Sequence, residues 1–175
     1  ILTCDACEGC IETHECVKND GLEKIKKDIM EAEAIVFGSP EYWGGMHAKG
    51  RAFWERLCFS LRHKDNFPLK RTLGIAIGVS GDGNSKGVLQ DIKRFFTDAQ
   101  IKLVDQLEVQ GEYVCFICGY GESCKEGGIA EIYDFPLEIT EDEIPKLGCQ
   151  HPEKQTSYNI INKLQEMGKE LAKKI

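Results

Sequence analysis

No apolar stretch of this 175-residue chain approaches the roughly 20 residues that a bilayer-crossing helix requires, so no membrane association is expected. Positive charge is also scarce: 22 Lys and Arg stand against 29 Asp and Glu, giving a formal net charge of -7 and a pI near 5.2. Nucleic-acid binding needs a basic footprint, so that class of partner is set aside. Small molecules, or proteins with a basic docking face, suit the charge better, although solubility alone also explains an acidic balance. Nothing resembles a secretory signal. With nine cysteines in the chain, that points to a reducing cytoplasm, where thiols are kept for metals or catalysis. The remainder is ordinary for a soluble globule, with 42% hydrophobic and 29% charged residues at single-domain length. One domain over residues 1–175 is expected.

Four of the cysteines crowd into the first sixteen residues: Cys4, Cys7, Cys10 and Cys16. A loop this tight suits a cube whose irons each take a single thiolate, so the run favours a [4Fe-4S] cluster. The common bacterial ferredoxin run starts similarly, but its last cysteine precedes proline and serves another cluster. Here Val17 follows Cys16, which leaves all four free to serve one cluster. Zinc is the competing reading; it usually takes two separated pairs, and three successive three-residue steps fit that poorly. Disulfides or free thiols are the third reading.

Periodicity alternates helix and strand. Leu22, Ile25, Ile29 and Met30 lie at helical spacing within 21–32, behind Asp20 as a candidate N-cap. Residues 34–38 form a short apolar run of the buried parallel type. A glycine-rich and aromatic loop over 39–46 leads to a helix over 47–61, with Phe53, Leu57 and Leu61 inward. Strands over 72–79 and 101–109 flank a helix over 87–99. A final helix over 153–175 turns Ile160, Ile161, Leu164, Met167 and Leu171 inward. This β-α-β rhythm predicts an α/β fold, a parallel sheet with helices on both faces.

In open α/β sheets, ligands bind outside the carboxyl ends of the strands. Two loops fall there. The first reads Gly38, Ser39, Pro40, Glu41, Tyr42, Trp43, Gly44, Gly45, Met46; its glycines admit close backbone approach and its aromatics offer flat faces to a planar ligand. The second reads Ser80, Gly81, Asp82, Gly83, Asn84, a turn suited to aiming N–H groups at carbonyl or anionic atoms. Singly, either could be an ordinary turn; together, after consecutive strands, they form a candidate cofactor site.

These residues resemble the flavodoxin-like NAD(P)H-dependent FMN reductases, and within them the iron-sulfur flavoproteins of archaea and anaerobic bacteria. That family pattern places a compact cysteine motif before a helix, then a strand ending in Gly-Ser-Pro-x-Tyr-aromatic-Gly, then a helix with Lys-x-Phe-x-Asp-Arg. The chain reads Gly38 to Gly44 and then Arg51, Ala52, Phe53, Trp54, Glu55, Arg56, with Arg for Lys and Glu for Asp. The resemblance covers residues 1 to about 107 and the last helix. It implies a flavodoxin-like sheet of order 2-1-3-4-5, FMN held between the two loops, and a [4Fe-4S] cluster on Cys4, Cys7, Cys10 and Cys16. It also implies electron transfer between cluster and flavin, often across a subunit contact.

The chain departs from that pattern twice. Relatives begin with a strand and a Gly/Ser-rich turn that binds the FMN phosphate at a helix N-terminus. This chain starts at the cysteine loop, so the expectation is that the native protein carries a further N-terminal segment, and no phosphate-binding residue can be named. Residues 108–152 read as an insertion carrying Cys115, Cys118, Cys124 and Cys149, a candidate second site for zinc or another cluster, or else unmetallated thiols. Cys58 reads as core. His14 reads as a solvated loop residue or a tuner of the cysteine loop, and His47 as a helix start or a flavin neighbour.

The expected function is an FMN-dependent oxidoreductase, passing electrons from a ferredoxin-like carrier through cluster and flavin to a small-molecule acceptor. An NAD(P)H-dependent flavin or quinone reductase is the alternative within enzymes; a non-catalytic metal-binding protein is the alternative outside them. A homo-oligomer is expected, with the helix over 47–61 and an exposed Trp54 near the contact.

Overall fold

A computed structural model describes residues 1–62, 68–81, 83–111 and 156–175, with side chains in the last segment from residue 160. The elements, in chain order, are α1 (Leu22–Glu31), β1 (Ala34–Tyr42), β2 (Gly45–Met46), α2 (Ala48–Leu61), β3 (Leu73–Ser80), α3 (Lys86–Asp98), β4 (Lys102–Gln110) and α4 (Thr156–Ala172). The sheet runs in the order β2-β1-β3-β4. β1, β3 and β4 are parallel neighbours, whereas β2 is a two-residue antiparallel edge, so the sheet is mixed where an all-parallel one was expected. The three parallel strands match positions 3, 4 and 5 of the expected 2-1-3-4-5 order. Beyond its pairing with β2 at Glu41 and Tyr42, β1 has no strand partner on its outer edge among the described residues.

Alternation along β3 sorts the core into two layers. Ala76 faces Leu22 of α1, Phe53, Trp54, Leu57 and Leu61 of α2, and Val88, Ile92 and Phe96 of α3. Ile75 and Leu107 face Met167 and Leu171 of α4 on the opposite side. Helices therefore cover both faces, as the α/β reading predicts.

Four expectations need correction. Trp54 is 0% exposed, not a surface aromatic. Its ring meets Phe37, Phe53 and Phe96 edge-on and stacks on Phe95, with centroids 5.2–6.1 Å apart. Such a ring cannot also form a subunit contact. In α1, Ile25 is 41% exposed while Lys26 is 4% exposed. Leu22, Ile29 and Met30 lie inward as expected, so the phase holds, but Ile25 lies outside and Lys26 shares the inner face, where its ammonium meets acceptors on the cysteine loop. Finally, α1 is capped by Gly21 at φ 93° rather than by Asp20, whose carboxylate is engaged elsewhere. On α4, Ile161 is exposed although it was expected inward.

The expected loop over 39–46 is instead the end of β1, a tight turn and β2. Glu41 pairs with Met46 and Tyr42 with Gly45, leaving Trp43 and Gly44 as a two-residue hairpin turn. Both have positive φ, 54° and 78°, the type I′ geometry whose twist matches the flanking strands. Glycine takes this conformation freely, but a bulky tryptophan there is strained.

Candidate metal and cofactor site

The first twenty residues form no helix or strand, so the cysteine loop takes its shape from turns and from the side chains that grip it. Ala6, Glu8 and His14 all adopt left-handed backbone, at φ 51°, 58° and 59°. Turning the chain on either side of Cys7 folds the loop back on itself, and Cys4, Cys7, Cys10 and Cys16 come to line one cavity. Val17 and Phe59 supply apolar wall, and Lys18 and Arg56 bring positive charge.

Two buried cations hold this loop to the helices. Lys26 donates to the His14 carbonyl and pairs with Glu15 at 3.0 Å. Arg56, projecting from α2 and fully buried, donates from Nε and Nη2 to the Cys16 sulfur at 3.3 and 3.1 Å. Its Nη1 pairs with Asp20 at 2.5 Å and reaches the Leu2 carbonyl at 3.1 Å, and Nη2 also reaches the Lys18 carbonyl at 3.3 Å. These bonds, with the Leu2 N–H donating to the same carboxylate, hold the Asp20 carboxyl well below the usual range. On Arg56, burial pulls the pKa down, but hydrogen bonds to Asp20 and Cys16 outweigh it and the net shift is upward. Cys58, two residues further along α2 and half-buried, is pushed up to about 12 by burial and by the nearby Asp98 charge.

Four thiols lining one cavity are the donor set that a [4Fe-4S] cluster takes, one thiolate to each iron, and also a set that a structural zinc takes, so the residues fit a thiolate-held metal group.

At the other end of α2 stands the aromatic hairpin. His47 caps the helix, accepting from the Lys49 N–H at 3.3 Å through Nδ1, and its ring meets Tyr42 edge-on at 4.6 Å. Tyr42 is 55% exposed and Trp43 fully exposed, presenting free aromatic faces. Ser39 is turned inward, where its hydroxyl accepts the His47 N–H at 3.2 Å and donates to the Pro40 carbonyl at 2.9 Å. Met46 is core, and Glu41 accepts the Gly44 N–H. Of the first loop, Gly38, Pro40, Tyr42, Trp43 and Gly44 are thus the residues open to a ligand.

The hairpin leans on α3. Asp91, nearly buried, accepts the Met46 N–H at 3.0 Å and pairs with Arg51 at 2.7 Å. A Cβ on Gly87 would collide with the Gly44 carbonyl oxygen, so the first turn of α3 abuts the hairpin and only glycine permits the approach. The second loop is tied to β4: the Gly111 and Gly83 N–H groups donate to the Ser80 carbonyl at 2.8 and 3.4 Å, and Gln110 reaches Gly81 at 3.3 Å. Asn84 is exposed. Asp82 and the second cysteine group, Cys115, Cys118, Cys124 and Cys149, lie outside the described residues.

Both candidate centres are therefore mounted on one rod. His47 and Arg56 are nine residues apart, which at 1.5 Å rise per residue separates hairpin and cysteine loop by about 14 Å along α2. Sequence reasoning missed Lys26, Asp91 and Gly87 altogether. The signal for Lys26 was a lysine beside the apolar stripe of α1, which ordinarily reads as surface.

The chain matches the NADPH-dependent FMN reductase family over residues 3–111. It is 33% identical over 95 residues to an iron-sulfur flavoprotein of Methanocaldococcus jannaschii, covering 53% of this chain and 48% of that protein. An iron-sulfur flavoprotein of Archaeoglobus fulgidus is 31% identical over 98 residues, covering 55% of this chain and 50% of its own. The match thus spans about half the length of these curated relatives. Among solved structures, the Trp repressor binding protein of Bacillus subtilis superposes with a TM-score of 0.48 at 21% identity, covering 53% of this chain and 60% of the other.

Proposed function

This chain belongs to the NADPH-dependent FMN reductase family, and from that membership we propose that it is an FMN-dependent oxidoreductase in which Cys4, Cys7, Cys10 and Cys16 hold a [4Fe-4S] cluster. When bound, FMN exchanges electrons singly or in pairs and the cluster exchanges them one at a time, so together they link donors and acceptors of different stoichiometry. The observation that carries the reading is the convergence of four thiols on one cavity beside the helix that also carries the aromatic hairpin. Tyr42 and Trp43 would offer the flavin their free aromatic faces, and Asp91 and His47 hold that platform in place. Lys26 and Arg56 hold the cysteine loop closed, Lys26 with its charge met by Glu15 and Arg56 with its charge turned toward Asp20 and the Cys16 sulfur. A ferredoxin-like carrier as donor and a small molecule as acceptor complete the proposal, in the reducing cytoplasm that suits free thiols. The exposed aromatic hairpin supports a homo-oligomer in which a second copy approaches this face.

The family's NADPH-dependent members favour a second reading, direct reduction of the flavin by NAD(P)H. Anaerobic reconstitution of the chain with iron, sulfide and FMN, followed by visible spectroscopy and metal analysis, tests both. About four irons per chain, lost in Cys7→Ala while flavin is retained, support the proposal. Flavin bands alone favour the second reading, and absence of both chromophores overturns the two together. Rapid bleaching of the flavin by NADPH, unchanged in Cys7→Ala, would select the direct route.

A further inference from the structure

We propose that Arg56 is a positioning residue that sets the reduction potential of the cluster through its hydrogen bonds to the Cys16 sulfur, and does not serve only to anchor the loop. This inference rests on the cluster reading above. The guanidinium spends two of its five donors on a single sulfur, at 3.3 and 3.1 Å, from a position with no exposure to water. A cation whose sole task was to pin the loop would be served by the Asp20 carboxylate and the Leu2 and Lys18 carbonyls, which Arg56 also engages. Lys26 is the internal contrast. It is equally buried and grips the same loop, but its partners are the His14 carbonyl and the Glu15 carboxylate.

The chemistry follows from where the charge goes. An N–H aimed at a ligand sulfur withdraws electron density from it, and hydrogen bonds to sulfur are among the levers that set cluster potentials. Reduction adds negative charge to a cluster already negative, so a buried donor pair on one thiolate favours the reduced form. Asp20 partly neutralises Arg56 but faces Nη1 rather than the Nε and Nη2 groups that meet Cys16. The planar fork makes the arrangement specific to arginine: a lysine retains the charge but cannot reach sulfur and carboxylate with the same paired geometry.

The test is an EPR-monitored redox titration of the reconstituted chain as wild type, Arg56→Lys and Lys26→Met, with iron content and thermal unfolding measured in parallel. Arg56→Lys is expected to keep its iron and shift the cluster midpoint to lower potential. Lys26→Met is expected to unfold at lower temperature with the midpoint unmoved. An Arg56→Lys midpoint equal to wild type in protein that retains its iron overturns the inference and leaves the cluster reading intact. A wild-type chain that takes up no iron overturns the cluster reading, and this inference with it. If Arg56→Lys does not fold, resonance Raman of the wild type in H2O and D2O decides the matter. A deuterium shift in an iron–thiolate stretch that disappears on Cys16→Ser supports the donor pair, and the absence of any shift refutes it.

Discussion

The two ends of α2 carry two differently built sites. At the first turn, the aromatic hairpin is held mainly by backbone: strand pairing at Glu41 and Tyr42, a type I′ turn, and the close approach of Gly87 to Gly44. Nearer the other end, the cysteine loop has few backbone bonds of its own, His14 to Cys10 and Ile11 to Glu8 among them, and depends on the buried charges of Arg56 and Lys26. The hairpin exposes its aromatics, whereas the loop folds its thiols round a cavity. A stacking platform must stay open to its ligand. The thiols are half-buried apart from the exposed Cys7, and the cations beside them offset the negative charge that thiolates bring.

The contrast can be broken most severely at Arg56. Arg56→Met should destabilise the protein by about 3 kcal/mol, because it leaves the Asp20 carboxylate near-buried and unpaired. Urea unfolding measures the loss, and amide exchange should show it concentrated in residues 2–20, with the Met46 N–H still protected. Gly87→Ala should do the opposite, costing about 1–3 kcal/mol through overpacking against the Gly44 carbonyl. Exchange at Met46 should then accelerate while the cysteine loop is unchanged. Equal responses of both regions to either variant would mean that they fold as one unit.

Acid should separate them too. The folded pKa of Asp20 is depressed, first by its hydrogen bond to Arg56, so its contribution is complete above the unfolded carboxylate value near 4 and is lost as pH falls below it. Loop protection should therefore decay below about pH 4 in the wild type. Asp20→Asn should abolish that pH dependence, and a hairpin that fails at the same pH would contradict the separation. The smallest effect is expected at Trp43, whose φ of 54° is strained for a bulky residue. Trp43→Asn should stabilise the fold by about 0.5–1 kcal/mol, since asparagine tolerates left-handed backbone, while weakening FMN binding through the lost aromatic face. Thermal unfolding and flavin titration read the two effects.

Much of the architecture was legible because it is local. Strand and helix positions followed from apolar spacing, and the cysteine run announced its own loop. The hairpin was read as irregular because two residues of β2 leave too short a pattern to recognise, although Gly44 was in plain view. The burial of Lys26 and of Trp54 was misjudged for a related reason. A lysine inside a helix face reads as solvent, and a tryptophan followed by Glu55 and Arg56 reads as surface, until the partners that enclose them are known.

The sequence by itself determined the two candidate sites, since cysteine spacing over thirteen residues and a Tyr-Trp-Gly-Gly turn are properties of adjacent positions. The tertiary structure decided what holds them. Arg56 meets Cys16 across 40 residues and Asp91 meets Met46 across 45. Such pairs come together only once parallel strands fix the register of the helices between them, because packing on the sheet, not any local preference, chooses which face of α2 and α3 points inward.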